Sequence, residues 1–232
     1  MLFGLGWDPT MILLVPAILL SLYAQFKISS AYRHYSQVRS HKGLSGAQVA
    51  RLILQSKGLN DVQIEAIEGR LSDHYDPRTR IVRLSRDIYQ GNSLASVAVA
   101  AHETGHALQH ASGYVPLQLR SAFVPVANFG SNLGPILILV GFFMPAFKIL
   151  LQFGIIVFAF AVLFQLITLP VEYNASGRAL ALLQGGGMLE NDEIQGVKAM
   201  LNAAALTYVA AALAAVLQLA RFIIIAQGRN DD

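Results

Sequence analysis

Leu133–Leu169 reads LGPILILVGFFMPAFKILLQFGIIVFAFAVLFQLITL, and the way it divides decides the fold. A helix crosses a bilayer in ~20 apolar residues, so this run is too long for one crossing. It is interrupted at Met144-Pro145-Ala146-Phe147-Lys148, a natural tight turn carrying a charge. Two spans follow, roughly Val124–Phe143 and Ile149–Leu169, within segments 121–147 and 148–170. Working outward, Leu5–Phe26 supplies another span, with Trp7 as an interfacial anchor and Lys27 at its far end. No basic stretch precedes Leu2 and no small-residue cleavage site follows, so 1–26 reads as a retained span rather than a cleaved leader. Ala203–Ala226 (segment 203–226) is a fourth, Ala-rich span whose Arg221 can snorkel.

Composition agrees. Of 232 residues, 54% are hydrophobic and 13% charged, about half the charged share of a soluble domain. The net charge of +3 comes without any basic run interleaved with aromatics, so nothing suggests nucleic acid. There is no cysteine, which excludes disulfides and thiolate metal ligands; any zinc must be held by His, Asp or Glu.

Between the first two spans lies a polar stretch, 27–120, with twelve Lys or Arg and seven Asp or Glu. Ser45 can cap a helix over Gly46–Lys57, with Gly58 as its stop. Val62–Ala66 and Arg80–Leu84 alternate at period two and predict strands, with turn chemistry at Asp76-Pro77-Arg78-Thr79. A small sheet is expected, and the Arg80–Leu84 strand is a candidate for edge pairing with a peptide. Ser93 caps a helix over about 93–112 that Gly113 ends. A further helix is expected to start near Pro170 and to stop at Gly185-Gly186-Gly187, within a polar segment 171–202. Lys27, Arg33, Arg39 and Lys42 follow the first span and no basic residue precedes it. The positive-inside rule therefore places the N-terminus outside, with 27–120 and 171–202 in the cytoplasm. The tip near Lys148 and the C-terminal tail fall outside.

The chemistry lies in His102-Glu103-Thr104-Gly105-His106. Four residues on a helix turn through ~400°, so His102 and His106 project from one face, one turn apart, as two ligands of one metal require. Glu103, ~100° round, is placed to reach a water on that metal as general base. Three titratable groups beside the apolar run Leu94–Ala101 would be costly without such a partner. A catalytic zinc needs a third protein ligand. Ser112 stands where a metzincin-type third histidine would lie, and His110 drifts ~80° from His102, which suits a capping or surface role. His34, His41 and His74 stand apart. Glu172, at the junction of the third span and the helix beyond, is the better candidate: a carboxylate there is costly unless it is paired or ligating. Two spans separate it from His106, so both fall on one membrane face.

Asp73-His74-Tyr75-Asp76-Pro77, Val99-Ala100-Ala101-His102-Glu103 through Gly105-His106-Ala107, and Pro170-Val171-Glu172 together resemble the YugP-like membrane zinc metallopeptidases of prokaryotes, over nearly the whole chain. The resemblance implies a mainly α membrane protein: four transmembrane helices plus a gluzincin-like zinc-peptidase domain with a small β-sheet, distantly similar to the HtpX type of membrane protease. It implies one Zn2+ per chain held by His102, His106 and Glu172, with Glu103 as base, in a multi-pass inner-membrane protein. Where the HtpX type has an Asp four residues after the glutamate ligand, this chain has Ser176; Ser176, Asn174 or a backbone carbonyl is then expected to orient a ligating histidine. Arg178, His74 and Tyr75 are candidates for the oxyanion or the substrate. The implied substrate is a protein or peptide in or near the bilayer, with a regulatory membrane partner or a second copy of the chain as further partners. Two competing readings are a site-2-type intramembrane protease and a zinc-stabilised membrane scaffold; Asn128, Ser131 and Asn132 in the second span fit an assembly interface or a bundle interior equally well.

Overall fold

The computed structural model describes residues 8–69 and 72–228. Trp7 and the start of the first span lie outside these. A 3-10 turn, Pro9–Leu14, leads into α1 (Val15–Tyr35); then come α2 (Gly46–Ser56), β1 (Gln63–Ile67), β2 (His74–Asp76), β3 (Ile81–Ser85), α3 (Arg86–Gln90), α4 (Leu94–Ala111), α5 (Val115–Phe143), α6 (Lys148–Gly185) and α7 (Asn191–Gly228). The chain divides into two units: Met1–Tyr23, Leu119–Leu169 and Thr207–Asp232 form the first, Ala24–Gln118 and Pro170–Leu206 the second.

The protein is a mainly helical membrane protein. Among the described residues, four helices are long and apolar enough to cross a bilayer: Pro9–Tyr35, α5, α6 and α7. In the first unit, Ile138 of α5, Leu151, Phe158 and Val162 of α6, and Phe222 and Ala226 of α7 form one core, with Phe158 and Phe222 edge to face at 5.3 Å. Gly130 lets α5 and α6 approach closely, since a Cβ there would overlap the Val157 carbonyl. Large apolar side chains such as Leu22, Phe26, Phe143 and Ile149 face outward, as lipid-facing positions do. Asn128, Ser131 and Asn132 are exposed too and do not line a bundle interior; the Ser131 hydroxyl and the Asn132 amide donate back to the Asn128 carbonyl. Arg221 does not simply snorkel: it pairs with Asp8 at 2.6 Å and donates to the Thr10 hydroxyl at 3.1 Å.

Three helices run further than the sequence suggests. α5 begins at Val115 despite Pro125 and Pro135 within it, and α7 begins at Asn191. The clearest difference is α6, which passes through Pro170 without a break, so no separate helix begins there. A proline inside a helix removes one backbone hydrogen bond and costs about 3 kcal/mol. Here Val171, Ala175, Ala179 and Leu183, one every four residues, are all 0% exposed. Burying that stripe offsets the cost. The helix does end at Gly185, and Gly187 takes a left-handed φ of 58°.

In the second unit the expected caps are present. Ser45 and Gln48 form a reciprocal capping box on α2, and Ser93 caps α4 through the Ser96 N–H. Val49 and Ile53 of α2, Val97, Ala98 and Ala101 of α4, and Ala179 and Leu183 of α6 share one core. The sheet order is β1-β3-β2, with β1 parallel and β2 antiparallel to β3. Alternation in β3 points Val82 and Leu84 inward, both 0% exposed. Strand β2 is too short for periodicity to betray it. Its presence makes β3 the central strand, between β1 and β2, so Arg80–Leu84 has no free edge to offer a peptide.

Candidate metal centre

Helix α4 carries His102 and His106 on one face, their rings edge to face at 4.8 Å. Glu172 arrives from α6 and is 2% exposed. Its Oε2 lies 3.1 Å from His102 Nε2 and 3.6 Å from His106 Nε2. One ligand atom from each of the three residues falls within 4.8 Å of the others. Zinc bonds of ~2.0–2.2 Å at a tetrahedral angle place ligand atoms ~3.3–3.6 Å apart; the two separations from Glu172 lie close to that range, and two imidazoles with a carboxylate suit zinc in chemistry. Gly105 makes the approach feasible: a Cβ there would sit 2.6 Å from the Ala175 carbonyl oxygen, one turn beyond Glu172.

Each histidine has a partner for its other nitrogen. His102 Nδ1 is 3.1 Å from the Ser176 hydroxyl. His106 Nδ1 is 3.0 Å from Gln109 Oε1. The Gln109 amide nitrogen donates to the Val171 carbonyl at 2.7 Å and to Asn174 Oδ1 at 3.0 Å. Ser176 and Asn174 are therefore both next to the ligand group, Ser176 directly and Asn174 through a glutamine that the sequence reading passed over. The one local signal for Gln109 was its place three residues after His106, on the same helix face.

Glu103 keeps part of its surface open, while its carboxyl group is enclosed by protein. Burial, reinforced by the charges of Glu172 and Asp73 and opposed by His102 and His74, pushes its pKa up to about 7. Asp73 and His74 thus belong to the surroundings of Glu103, by way of β2. His74 Nδ1 pairs with the Ser72 carbonyl at 2.7 Å. Tyr75 directs its hydroxyl to His110 Nδ1 at 2.8 Å, which also accounts for His110. Arg178 is turned to the end of α4: its Nη1 donates to the Leu108 carbonyl and the Ser112 hydroxyl, and its Nε to Asn174. His41, which looks isolated in the sequence, sits 3.1 Å from Glu190 with Asp192 and Glu193 nearby; hydrogen bonding to Glu190 raises its pKa. In that second group His41, Glu190 and Asp192 are exposed, while Glu193 is buried. Glu193 there accepts from the backbone N–H groups of His41 and Glu190, which makes it a cap on α7.

The comparisons with known proteins point the same way. No solved structure matches the chain. A curated protein of Bacillus subtilis (strain 168), "Putative membrane protease YugP", is 48% identical over 220 residues, covering 95% of this chain and 97% of that one. Residues 10–227 match the family described as "Putative neutral zinc metallopeptidase". With a match across nearly its whole length, this membrane protein belongs to that zinc metallopeptidase family.

Proposed function

We propose that this chain is a zinc-dependent membrane endopeptidase that cleaves peptide bonds of membrane or membrane-proximal proteins on the cytoplasmic side of a prokaryotic inner membrane. The observation that carries the reading is the convergence of His102 Nε2, His106 Nε2 and Glu172 Oε2 beside the buried carboxyl of Glu103. His102, His106 and Glu172 would hold one Zn2+ in a gluzincin-like arrangement. Zinc bound there supplies Lewis acidity, which acidifies a water and polarises the scissile carbonyl.

The rest falls to the chain's own groups. Glu103 Oε takes the proton of the attacking water and later delivers it to the leaving amine. With His102 Nε2 turned to the metal, the Ser176 hydroxyl is placed to accept the proton on Nδ1. The outer edge of β2 is positioned to take an extended substrate by strand addition, with main-chain hydrogen bonds giving affinity. His74, on that strand and in the field of Glu103, is the favoured group to face the oxyanion. Tyr75 and Arg178 are less suited: the Tyr75 hydroxyl is engaged by His110, and Arg178 Nε and Nη1 by Asn174 and the end of α4. α4 is not among the four apolar spans, which speaks against a site-2-type intramembrane centre.

The test is Glu103→Gln in the full chain, in detergent or nanodiscs, with a denatured protein as substrate. Bound zinc should stay at one per chain, and hydrolysis should fall by at least ~10²–10⁴-fold, the usual contribution of a general base. Chelation should abolish wild-type cleavage and zinc should restore it. Undiminished hydrolysis by the variant would refute the assignment, and a scaffold that merely retains zinc would cleave nothing in either form.

A further inference from the structure

A histidine ring can carry its proton on either nitrogen, so a ring that offers Nε2 to a metal needs something to hold the proton on Nδ1. For His106 that partner is Gln109, whose side chain is 0% exposed. Taken alone, an amide leaves the choice open. Turned over, it would present its NH2 to His106 and select the opposite tautomer.

The neighbours of Gln109 remove the choice. The far end of its amide faces the Val171 carbonyl at 2.7 Å, and a carbonyl only accepts, so that end is the NH2. The same end faces Asn174 at 3.0 Å. Asn174 is itself an amide that could turn over, but its oxygen lies 2.8 Å from Arg178 Nε, and a guanidinium only donates and never loses its charge in a protein. Arg178 is fixed in turn by the Leu108 carbonyl at 3.3 Å and the Ser112 hydroxyl at 3.1 Å. The logic runs one way. Arg178 requires an acceptor, so Asn174 shows its oxygen. Gln109 must then donate to that oxygen, and its own oxygen is left for His106. His106 Nδ1 must therefore carry the proton.

We infer that Arg178, Asn174 and Gln109 form a tautomer lock on His106, with Gln109 as the positioning residue and the permanent charge of Arg178 setting its sense. This gives Arg178 a task at the site without contact with substrate. The lock concerns the chain's own protons. Only its consequence for zinc rests on His106 being a ligand.

The experiment reads the two separately. In the metal-free full chain, 15N chemical shifts of the histidine rings report the His106 tautomer, and chelator competition reports zinc affinity. Wild type should show a proton on His106 Nδ1, whether or not Nε2, 3.6 Å from the Glu172 carboxylate, carries one too. Gln109→Met, which keeps the shape and removes the amide, should populate the Nε2-protonated form and weaken zinc roughly 10- to 100-fold. Asn174→Asp is the conservative control: a carboxylate only accepts, so it keeps the sense of the network and should preserve both readouts. A wild-type His106 that lacks a proton on Nδ1, or a Gln109→Met protein whose Nδ1 is as fully protonated as in wild type, would overturn the lock. A tautomer that shifts while zinc affinity stays put would keep the lock and remove His106 from the ligand set. The wild-type measurement decides the matter even if Gln109→Met does not fold.

Discussion

Asp76 accepts hydrogen bonds from the Arg78 backbone N–H, the Thr79 hydroxyl and Arg83 Nη1, and so ties the β2–β3 turn to the strand it feeds. Three residues earlier, Asp73 accepts from the backbone N–H and the hydroxyl of Ser85, where β3 passes into α3. The two acids of the Asp73–Pro77 motif therefore place His74 and Tyr75 by holding the hairpin around them. The bonds to Thr79, Arg78 and Arg83 keep the Asp76 carboxyl well below the usual carboxylate range. A folded-state pKa below the unfolded one contributes stability above the unfolded value, ~4, that is lost as pH falls through the folded value. Asp76→Asn should thus lower stability at pH 7 by about 1 kcal/mol, since these bonds are partly open to solvent. The gap to wild type should narrow steadily below about pH 4 in denaturant titrations; a gap independent of pH would show that the carboxylate charge plays no part. At this scale the sequence speaks clearly where a position depends on near neighbours. His102 and His106 need only a helix to come together, and Glu172 betrays itself as a charge beside an apolar span. Gln109 stays hidden because its orientation depends on Val171 and Asn174, more than sixty residues away.

α4 and α6 meet where Gly105 faces the Ala175 backbone, and that contact sets how far Glu172 reaches toward the two histidines. Gly105→Ala would drive a methyl to 2.6 Å from a carbonyl oxygen that belongs to a helix and cannot rotate away. The helices must separate by some tenths of an ångström. Overpacking of this kind costs about 1–3 kcal/mol. Zinc affinity should also drop, by roughly tenfold or more, because a ligand atom is carried off with α6. Thermal melting with and without zinc measures both; a variant as tight as wild type would show that the helix contact does not set the ligand geometry. The elements themselves divide along a physical line. α2 and α4 were readable because their caps, Ser45 with Gln48 and Ser93, are local. The passage of α6 through Pro170 was not, because local chemistry argues for a boundary there. What carries the helix on is a stripe of fully buried residues packed against partners distant in sequence.

At the scale of the whole molecule, the pair between Asp8 and Arg221 carries topological information. It lies within the first unit and joins the residue before the first span to the last turns of the fourth. A 2.6 Å contact between them requires the start of the first span and the end of the fourth to lie on the same side, as an even number of crossings demands. Parity alone does not say which side. The basic residues do: twelve Lys or Arg fall in 27–120, between the first and second spans, so that stretch, with the candidate metal centre that it forms with Glu172, is expected in the cytoplasm. The chain contains no cysteine, so single-cysteine reporters have no background. Gln37 and Lys148 are both exposed, one beyond the end of α1 and one at the hairpin between α5 and α6. A membrane-impermeant maleimide applied to intact spheroplasts should label Lys148→Cys at once and Gln37→Cys only after permeabilisation. The reverse pattern would turn the protein over, leave the Asp8–Arg221 pair and the ligand geometry untouched, and move the substrates to the outer face. The orientation of the chain thus decides which proteins can reach Glu103, a question that the geometry of the site leaves to the distribution of charge along the sequence.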